Sequence, residues 1–211
     1  MPLTRRSLAV ALAAAAIAGP ALAQAPMRAE DQALVDRATA YLQGLTEAKG
    51  RFVQTDSRGQ TSQGVLYLKR PGKARFDYDP PSGLLVVSDG STVAVADSRL
   101  KTFERYPLMS TPLSLFLART VRLDKGVQVM GVTRMADGFT LTLRDGHKKT
   151  AGQIALTFSE TPLRLRSWTV SDAQNRSTRV QLLDLEPVSG LDGDLFRQKD
   201  PRQPNVGRGR M

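Results

Sequence analysis

The sequence contains no cysteine and only one histidine, His147, among its 211 residues. Without cysteine the chain can form no disulfide framework, offers no thiolate nucleophile and cannot carry a lipid on an N-terminal cysteine. A single histidine cannot supply the nitrogen and sulfur ligands of the usual zinc sites. These absences argue against a thiol-dependent function and against a metal enzyme, and we expect no metal and no cofactor.

Catalytic patterns are also missing. His147 lies in the polar segment Asp145–Lys149, which is typical of a hairpin tip, and no strand-to-helix serine motif accompanies it. Asp77 and Asp79 alternate along one strand face beside basic residues, as on an ordinary charged surface. The glycines fall singly in turns and form no phosphate-binding loop. We therefore predict that the protein is not an enzyme and has no catalytic residue.

Long hydrophobic runs are absent as well. The most apolar stretch, Leu8–Ala18, is well short of the roughly 20 residues that span a bilayer. It follows Arg5 and Arg6 and precedes small residues at Ala21 and Ala23, the positions that a signal peptidase recognises. This pattern predicts a secretory signal peptide cleaved near Ala23, and therefore a periplasmic protein. Both the general secretory route and the twin-arginine route stay open.

The formal net charge of +10 is concentrated at the two ends of the chain. Arg5 and Arg6 leave with the signal peptide, and the tail from Arg197 to Met211 is strongly basic. Between Gln24 and Phe196 the basic residues exceed the acidic ones by only four, and the two signs are interspersed. This distribution is typical of a solvated surface, so nucleic acid is not an expected partner.

The length predicts one domain. Removal of the signal leaves about 188 residues, enough for a single substantial core and too few for two typical domains. We place this domain at residues 24–196 and expect a monomer. The tail 197–211, rich in proline, glycine and arginine, is expected to be disordered.

Hydrophobic periodicity predicts a helix followed by many strands. Apolar residues between Ala29 and Leu45 recur at helical spacing, which predicts one amphipathic helix. The period then changes to two, and turn signals such as Asp89-Gly90 recur at short intervals. The predicted strands are 65–68, 74–78, 84–87, 93–95, 126–133, 139–143, 153–158, 163–170 and 177–185. Because no helices alternate with them, the sheet should be antiparallel.

A second, short helix is predicted to begin at Thr111-Pro112, with threonine as its cap and proline in its first turn. It offers little charge to water and needs apolar cover on more than one side. We expect roughly ten or eleven strands in all, of which nine are placed above, in one curled sheet with two helices on its concave face. The apolar residues fit a partly hollow interior and an ordinary packed core equally well.

Five segments carry a more specific signal. They are Phe52–Gln54, Gly64–Lys73, Arg75–Tyr78, Leu85–Gly90 and Thr111-Pro112. Their order and spacing resemble the LolA family of periplasmic outer-membrane lipoprotein carriers, and the resemblance weakens after Leu117. It implies a mainly β fold with some α, in which an unclosed antiparallel β-barrel of about eleven strands is covered by a helical lid over an apolar cavity.

The resemblance also implies a function and its partners. A carrier of this family takes acylated lipoproteins from an inner-membrane ABC transporter and passes them to the outer membrane, often through a receptor that is itself a lipoprotein. In the Lys69-Arg70-Pro71 motif, Arg70 resembles the residue that latches the lid by hydrogen bonds to backbone carbonyls. A periplasmic lipid- or lipoprotein-sensing module on the same fold is the alternative, and a secreted hydrolase is disfavoured by the missing catalytic groups.

The expected cavity and lid residues come from the two helices and from two strands. Which face of each strand points inward stays open, because a shift of one residue exchanges the faces. The expected residues are Leu34, Tyr41, Leu42, Phe76, Val95, Leu113, Phe116 and Leu117.

Overall fold

The computed structural model describes residues 27–111, 113–123, 127–145, 152–172, 174, 176–198 and 200. The predicted signal peptide, His147, Pro112 and the tail beyond residue 200 lie outside these residues, and so does the side chain of Phe116. The predictions that concern them therefore stay predictions.

The described chain forms two α-helices and twelve strands. Helix α1 spans Ala29–Gly44, within one residue of its predicted extent, and α2 spans Leu113–Leu117. Short 3₁₀ turns lie at Leu108–Ser110 and Gly193–Phe196. The strands are β1 Glu47–Thr55, β2 Thr61–Lys69, β3 Lys73–Tyr78, β4 Leu84–Asp89, β5 Thr92–Asp97, β6 Thr102–Pro107, β7 Val127–Met135, β8 Gly138–Asp145, β9 Gln153–Glu160, β10 Leu163–Ser171, β11 Ser177–Leu182 and β12 Glu186–Pro187.

All the strands belong to one antiparallel sheet. Its order is β6-β5-β4-β3-β2-β1-β11-β10-β9-β8-β7, and the short β12 pairs with β1 beyond the end of β11. Within the described residues β6 and β7 each pair on one side only, so the sheet does not close into a complete barrel. The predicted fold, an unclosed antiparallel barrel of about eleven strands with two helices, is confirmed.

Periodicity did not predict strands β1 and β6. The inward positions of β1 include Ala48 and Gly50, which carry little apolar signal. A Cβ added to Gly50 would lie 2.0 Å from the carbonyl oxygen of Asp184, so glycine is required where the chain after β11 crosses close to β1. Strand β6 is an edge strand that is mostly exposed and ends in Pro107, so it lacks a buried face to reveal it.

The register shows which face of each strand is concave. Phe52 on β1 lies opposite Leu182 on β11, across the seam that joins the first half of the sheet to the second. Phe76 lies opposite Leu66 and Val86. Directly opposite residues point to the same side, so these positions form one continuous apolar face. Helix α1 packs on it through Leu34, Val35, Ala38 and Leu42, all of which are buried.

The C-terminal segment covers part of the convex face. The backbone of Leu191 is held from both sides, because its N–H donates to the Glu47 carboxylate at 2.9 Å and its carbonyl accepts from Lys69 Nζ at 2.7 Å. Arg75 Nη1 donates to the Leu195 carbonyl at 3.2 Å. The Gln198 amide donates to the Thr92 carbonyl at 2.9 Å. The first residues of the predicted tail therefore contact the sheet.

Phe52 should be the residue whose truncation costs most in β1. It is fully buried at the junction of the two halves, and replacing a buried phenylalanine with alanine typically costs about 3–5 kcal/mol. We expect Phe52→Ala to lower the free energy of unfolding, measured by urea denaturation, by that amount. Val53→Ala is the matched control on the opposite face and should cost about 0.5 kcal/mol. Equal losses would contradict the assignment of faces.

Candidate functional site

Aromatic side chains occupy the space between the sheet and α1. Phe52 makes edge-to-face contacts with Phe76 and Tyr78, with ring centroids 5.5 Å and 5.1 Å apart. Trp168, the single tryptophan of the chain, lies edge-on to Phe76 at 6.1 Å. These contacts cross from the first half of the sheet to the second. These four rings therefore form one continuous aromatic surface on the concave face.

A second aromatic group lies beneath the helical lid, which consists of α1, α2 and residues 118–123. Phe139 and Phe158 stack with centroids 5.3 Å apart on neighbouring strands, and Tyr41 of α1 meets Phe158 edge-on at 6.0 Å. Tyr41 is half-buried, whereas both phenylalanines are fully buried. The helix thus covers aromatic rings that would face water if it moved away.

The structure brings most of the predicted cavity residues together on this surface. Leu34, Leu42, Phe76 and Leu117 are buried in the core, and Tyr41 and Leu113 pack against it. Val95 shares the concave face with Phe76, because both align through Val86, but it is only half-buried. Its other neighbour, Glu104 on the edge strand, is exposed. The lid covers the concave face less completely toward β6.

Five inward-facing aromatic residues were not predicted from the sequence. Period-two patterning was a signal for the four that lie in predicted strands, whereas Phe52 lies on β1, which periodicity did not predict. Only cross-strand register shows that they meet. The missed residues are Phe52, Tyr78, Phe139, Phe158 and Trp168.

Arg70 connects the sheet to both helices. It lies in the β2–β3 turn, Arg70–Gly72, and its guanidinium points toward the helix ends. Nη1 donates to the Leu42 carbonyl of α1, and Nη2 donates to the Ala118 carbonyl just after α2 at 2.7 Å. Nε also donates to the Ala118 carbonyl at 3.3 Å. One side chain thus holds carbonyl groups from two different lid elements.

The chemistry of helix ends explains why a cation lies there. The last carbonyls of a helix have no partner within the helix, and they carry the negative end of its dipole. The planar guanidinium of Arg70 has five donors and can serve several carbonyls at once, which an ammonium cannot match in geometry. Burial lowers the pKa of Arg70 from its ordinary value, but an arginine remains charged at neutral pH.

A glutamine joins the two parts of the lid to each other. Gln43 of α1 accepts from the Val121 N–H at 2.8 Å and donates to the Arg119 carbonyl at 3.3 Å. A cleft of about 370 Å³ lies along the same seam, between α1 and residues 120–122. The two lid elements therefore meet through a few specific hydrogen bonds and are not packed tightly along their whole contact.

Ion pairs between α1 and the sheet contribute little to stability. Arg134 lies 2.9 Å from Asp31, and Arg37 lies 2.8 Å from Glu160. The arginines in both pairs are about half exposed, and such surface pairs typically contribute 0–1 kcal/mol. The packing of the helices on the sheet therefore depends chiefly on apolar burial and on the hydrogen bonds around Arg70.

Among the described residues, no three side chains of the metal-ligating types come close enough to hold an ion. No described helix is both long and apolar enough to span a membrane.

A sequence model of one protein family, described as outer membrane lipoprotein carrier protein LolA, matches residues 43–199. The match includes the sheet, α2 and the turn that carries Arg70. The chain belongs to the LolA family. The resemblance between Phe52 and Leu117 is thereby confirmed, and it extends over most of the chain.

Relatives with the same description cover nearly the whole chain. An outer-membrane lipoprotein carrier protein from Cupriavidus necator is 33% identical over 215 residues, which cover 95% of this chain and 98% of the relative. One from Cupriavidus taiwanensis is 30% identical, covering 87% and 90%. The structure of a DUF1329 family protein from Desulfovibrio piger superposes with a TM-score of 0.50 at 12% identity, covering 79% of this chain and 96% of that one. That last likeness concerns the fold alone.

Tyr78 should make this LolA-family protein sensitive to alkali. Its buried hydroxyl donates to Gln54 Oε1 at 2.7 Å, and burial raises its pKa to about 12 from 10.0. As pH rises above 10, the unfolded state releases this proton first, so stability is lost between pH 10 and 12. The loss by pH 11 is about 1.4 kcal/mol.

The measurement is urea denaturation at pH 9, 10 and 11, compared with Tyr78→Phe. The variant lacks the titrating group, and every other titrating group is shared, so it should lose about 1.4 kcal/mol less over this range. An identical pH dependence in the two proteins would show that Tyr78 ionises freely in the folded state.

Proposed function

We propose that this LolA-family protein is a periplasmic carrier that shields the acyl chains of lipoproteins between its sheet and its helical lid. It takes them from an inner-membrane ABC transporter and delivers them to the outer membrane, in some cases through a receptor lipoprotein. The observation that carries the proposal is a continuous aromatic surface covered by α1. The end of this helix is held by the guanidinium of Arg70. Such an interior is apolar and can be opened.

The physics of the cargo requires an interior of this kind. Each methylene exposed to water costs about 0.8 kcal/mol, so the acyl chains of one lipoprotein would cost tens of kcal/mol in the periplasm. The apolar surface of the concave face is covered by α1. When the lid opens, acyl chains can replace the helix on that surface. The carrier thus exchanges one apolar contact for another.

Loading and release place opposite demands on this exchange. A membrane holds acyl chains about as well as a protein pocket does, so extraction has to be driven by the transporter and the carrier needs no nucleotide. Release requires that the empty, closed form be stable enough to compete with cargo. The hydrogen bonds of Arg70 to Leu42 and Ala118 exist in the closed form and add to its stability. They make Arg70 the proposed latch.

Replacing Arg70 should therefore impair release more than loading. Arg70→Leu removes charge-assisted hydrogen bonds worth about 1.5–3 kcal/mol, which corresponds to a roughly 10- to 100-fold shift toward the open form. We expect loading by the transporter to persist and transfer of a triacylated lipoprotein to acceptor vesicles to slow by a similar factor. Transfer rates are measured by separating vesicles from carrier over time.

Arg75→Leu is the matched control. Arg75 also donates to a backbone carbonyl, that of Leu195, but it lies on the convex face of the next strand. It should leave transfer unchanged. Arg70→Lys keeps the charge without the fork of donors and should fall between the wild type and Arg70→Leu. Unchanged transfer in Arg70→Leu would refute the latch.

The cargo itself can be tested with the single tryptophan. Trp168 is 3% exposed and belongs to the aromatic surface, so a triacylated lipopeptide with brominated acyl chains should quench its fluorescence on binding. The same lipopeptide without bromine is the control. Mass spectrometry of protein purified from periplasm should find co-purifying triacylated lipoprotein. Another amphiphile would indicate a general lipid binder, and binding without transfer between membranes would favour a sensing module.

A further inference from the structure

The β2–β3 turn reaches the lid through a second donor that does not involve the Arg70 side chain. The backbone N–H of Gly72 donates to the Leu117 carbonyl at 2.7 Å, and Arg70 donates to the next carbonyl, that of Ala118. These two carbonyls end α2, where backbone acceptors have no partner within the helix. The turn therefore serves two successive carbonyls of the lid, one with a side chain and one with its own backbone.

Only glycine fits at this position. Gly72 has a φ of +77°, in the region that side chains disfavour. A Cβ there would also lie 2.6 Å from the Cα of Gly90, in the neighbouring turn between β4 and β5. The tip of the β2–β3 turn thus packs closely against the β4–β5 turn, which restricts the orientation of its peptide groups.

A buried serine holds the other side of the same residue. Ser88 on β4 is 1% exposed, and its hydroxyl donates to the Gly72 carbonyl at 2.6 Å. Ser88 lies opposite Ala74 and Val93, so its side chain points to the concave face beside buried apolar residues. A hydroxyl in such surroundings is costly unless it is hydrogen-bonded, which makes the contact with Gly72 a strong constraint on the turn.

We propose that Ser88 is a positioning residue for lid closure: it fixes Gly72 so that the Gly72 N–H meets the Leu117 carbonyl, and this contact is a second latch beside Arg70. The inference rests on the proposed function and concerns its regulation. The two latches differ in reach. Arg70 holds the ends of both α1 and α2, whereas Gly72 holds α2 alone. Loss of the second latch should weaken the attachment of α2, which Arg70 still holds through Ala118, and leave the attachment of α1 unchanged.

The Gly72 amide itself reports on this contact, through hydrogen exchange measured by NMR in cargo-free protein. In Ser88→Ala we expect the Gly72 amide to exchange about 10-fold faster under native conditions. The Leu45 amide, which donates to α1 at Tyr41 and Leu42, should exchange at its wild-type rate. Fluorescence of Trp168 with acrylamide as quencher gives a second measure of opening.

Ser159→Ala is the matched control. Ser159 is 9% exposed, and its hydroxyl donates to the carbonyl of a turn residue, Pro162, at 2.7 Å, as Ser88 does to Gly72. Ser159 lies near the end of β9, beside the β9–β10 turn. Its replacement by alanine should therefore leave exchange at Gly72 unchanged. If Ser88→Ala lowers global stability without faster exchange at Gly72, or if both variants speed it equally, Ser88 is merely structural and the proposal is overturned.

The transfer assay separates this inference from the proposed function. Ser88→Ala should slow lipoprotein transfer, as Arg70→Leu does. In the double variant the effects of the two substitutions on the transfer rate should be less than additive, because both weaken the attachment of α2. Faster exchange at Gly72 with no lipoprotein binding by the wild type would leave the second latch standing and remove the carrier function. If the Gly72 amide of Ser88→Ala exchanges at the wild-type rate and the wild type carries lipoprotein normally, the second latch is removed and the carrier function stands.

Discussion

The structure depends on one constraint: the concave face of an open antiparallel sheet is apolar on nearly every strand and has to be covered. Edge strands β6 and β7 do not meet in the described residues, so the sheet cannot bury this face by closing on itself. Helix α1 covers it with a row of buried aliphatic residues set over aromatic rings. In the proposed function the acyl chains of the cargo displace this helix, and they are as apolar as the surface that they contact.

The means of attachment differs on the two faces of the sheet. On the convex face the C-terminal segment is held by several separate groups, among them Glu47, Lys69 and Arg75, which act on different strands. On the concave face the hydrogen bonds at the C-terminal ends of both helices converge on one turn, where Arg70 and Gly72 donate to backbone carbonyls. Hydrogen bonds to backbone carbonyls are directional and short-ranged, so a small movement of the lid breaks them together. Attachment at one point is compatible with the proposed opening of the lid. Attachment at several points fixes the C-terminal segment to the sheet.

Much of this arrangement follows from local sequence. Helical spacing between residues 29 and 45 predicted α1 within one residue, and period-two segments with turn glycines predicted most of the strands. The resemblance of Lys69-Arg70-Pro71 to the family motif implied that Arg70 acts on backbone carbonyls, and the structure places it against those of Leu42 and Ala118. Strands β1 and β6 escaped prediction because one carries small residues at inward positions and the other is an exposed edge.

By itself, the sequence determined that no cysteine is present, where α1 and most strands lie, and which segment resembling the family motif carries Arg70. Only the tertiary structure decided which face of each strand is concave, that Phe52, Phe76 and Trp168 form one surface, and that the Ser88 hydroxyl donates to the turn that carries Arg70. The physical reason is that alternation along a strand distinguishes two faces without saying which one is inside. That choice is made by partners far apart in the chain, such as Phe52 and Leu182, when they pair.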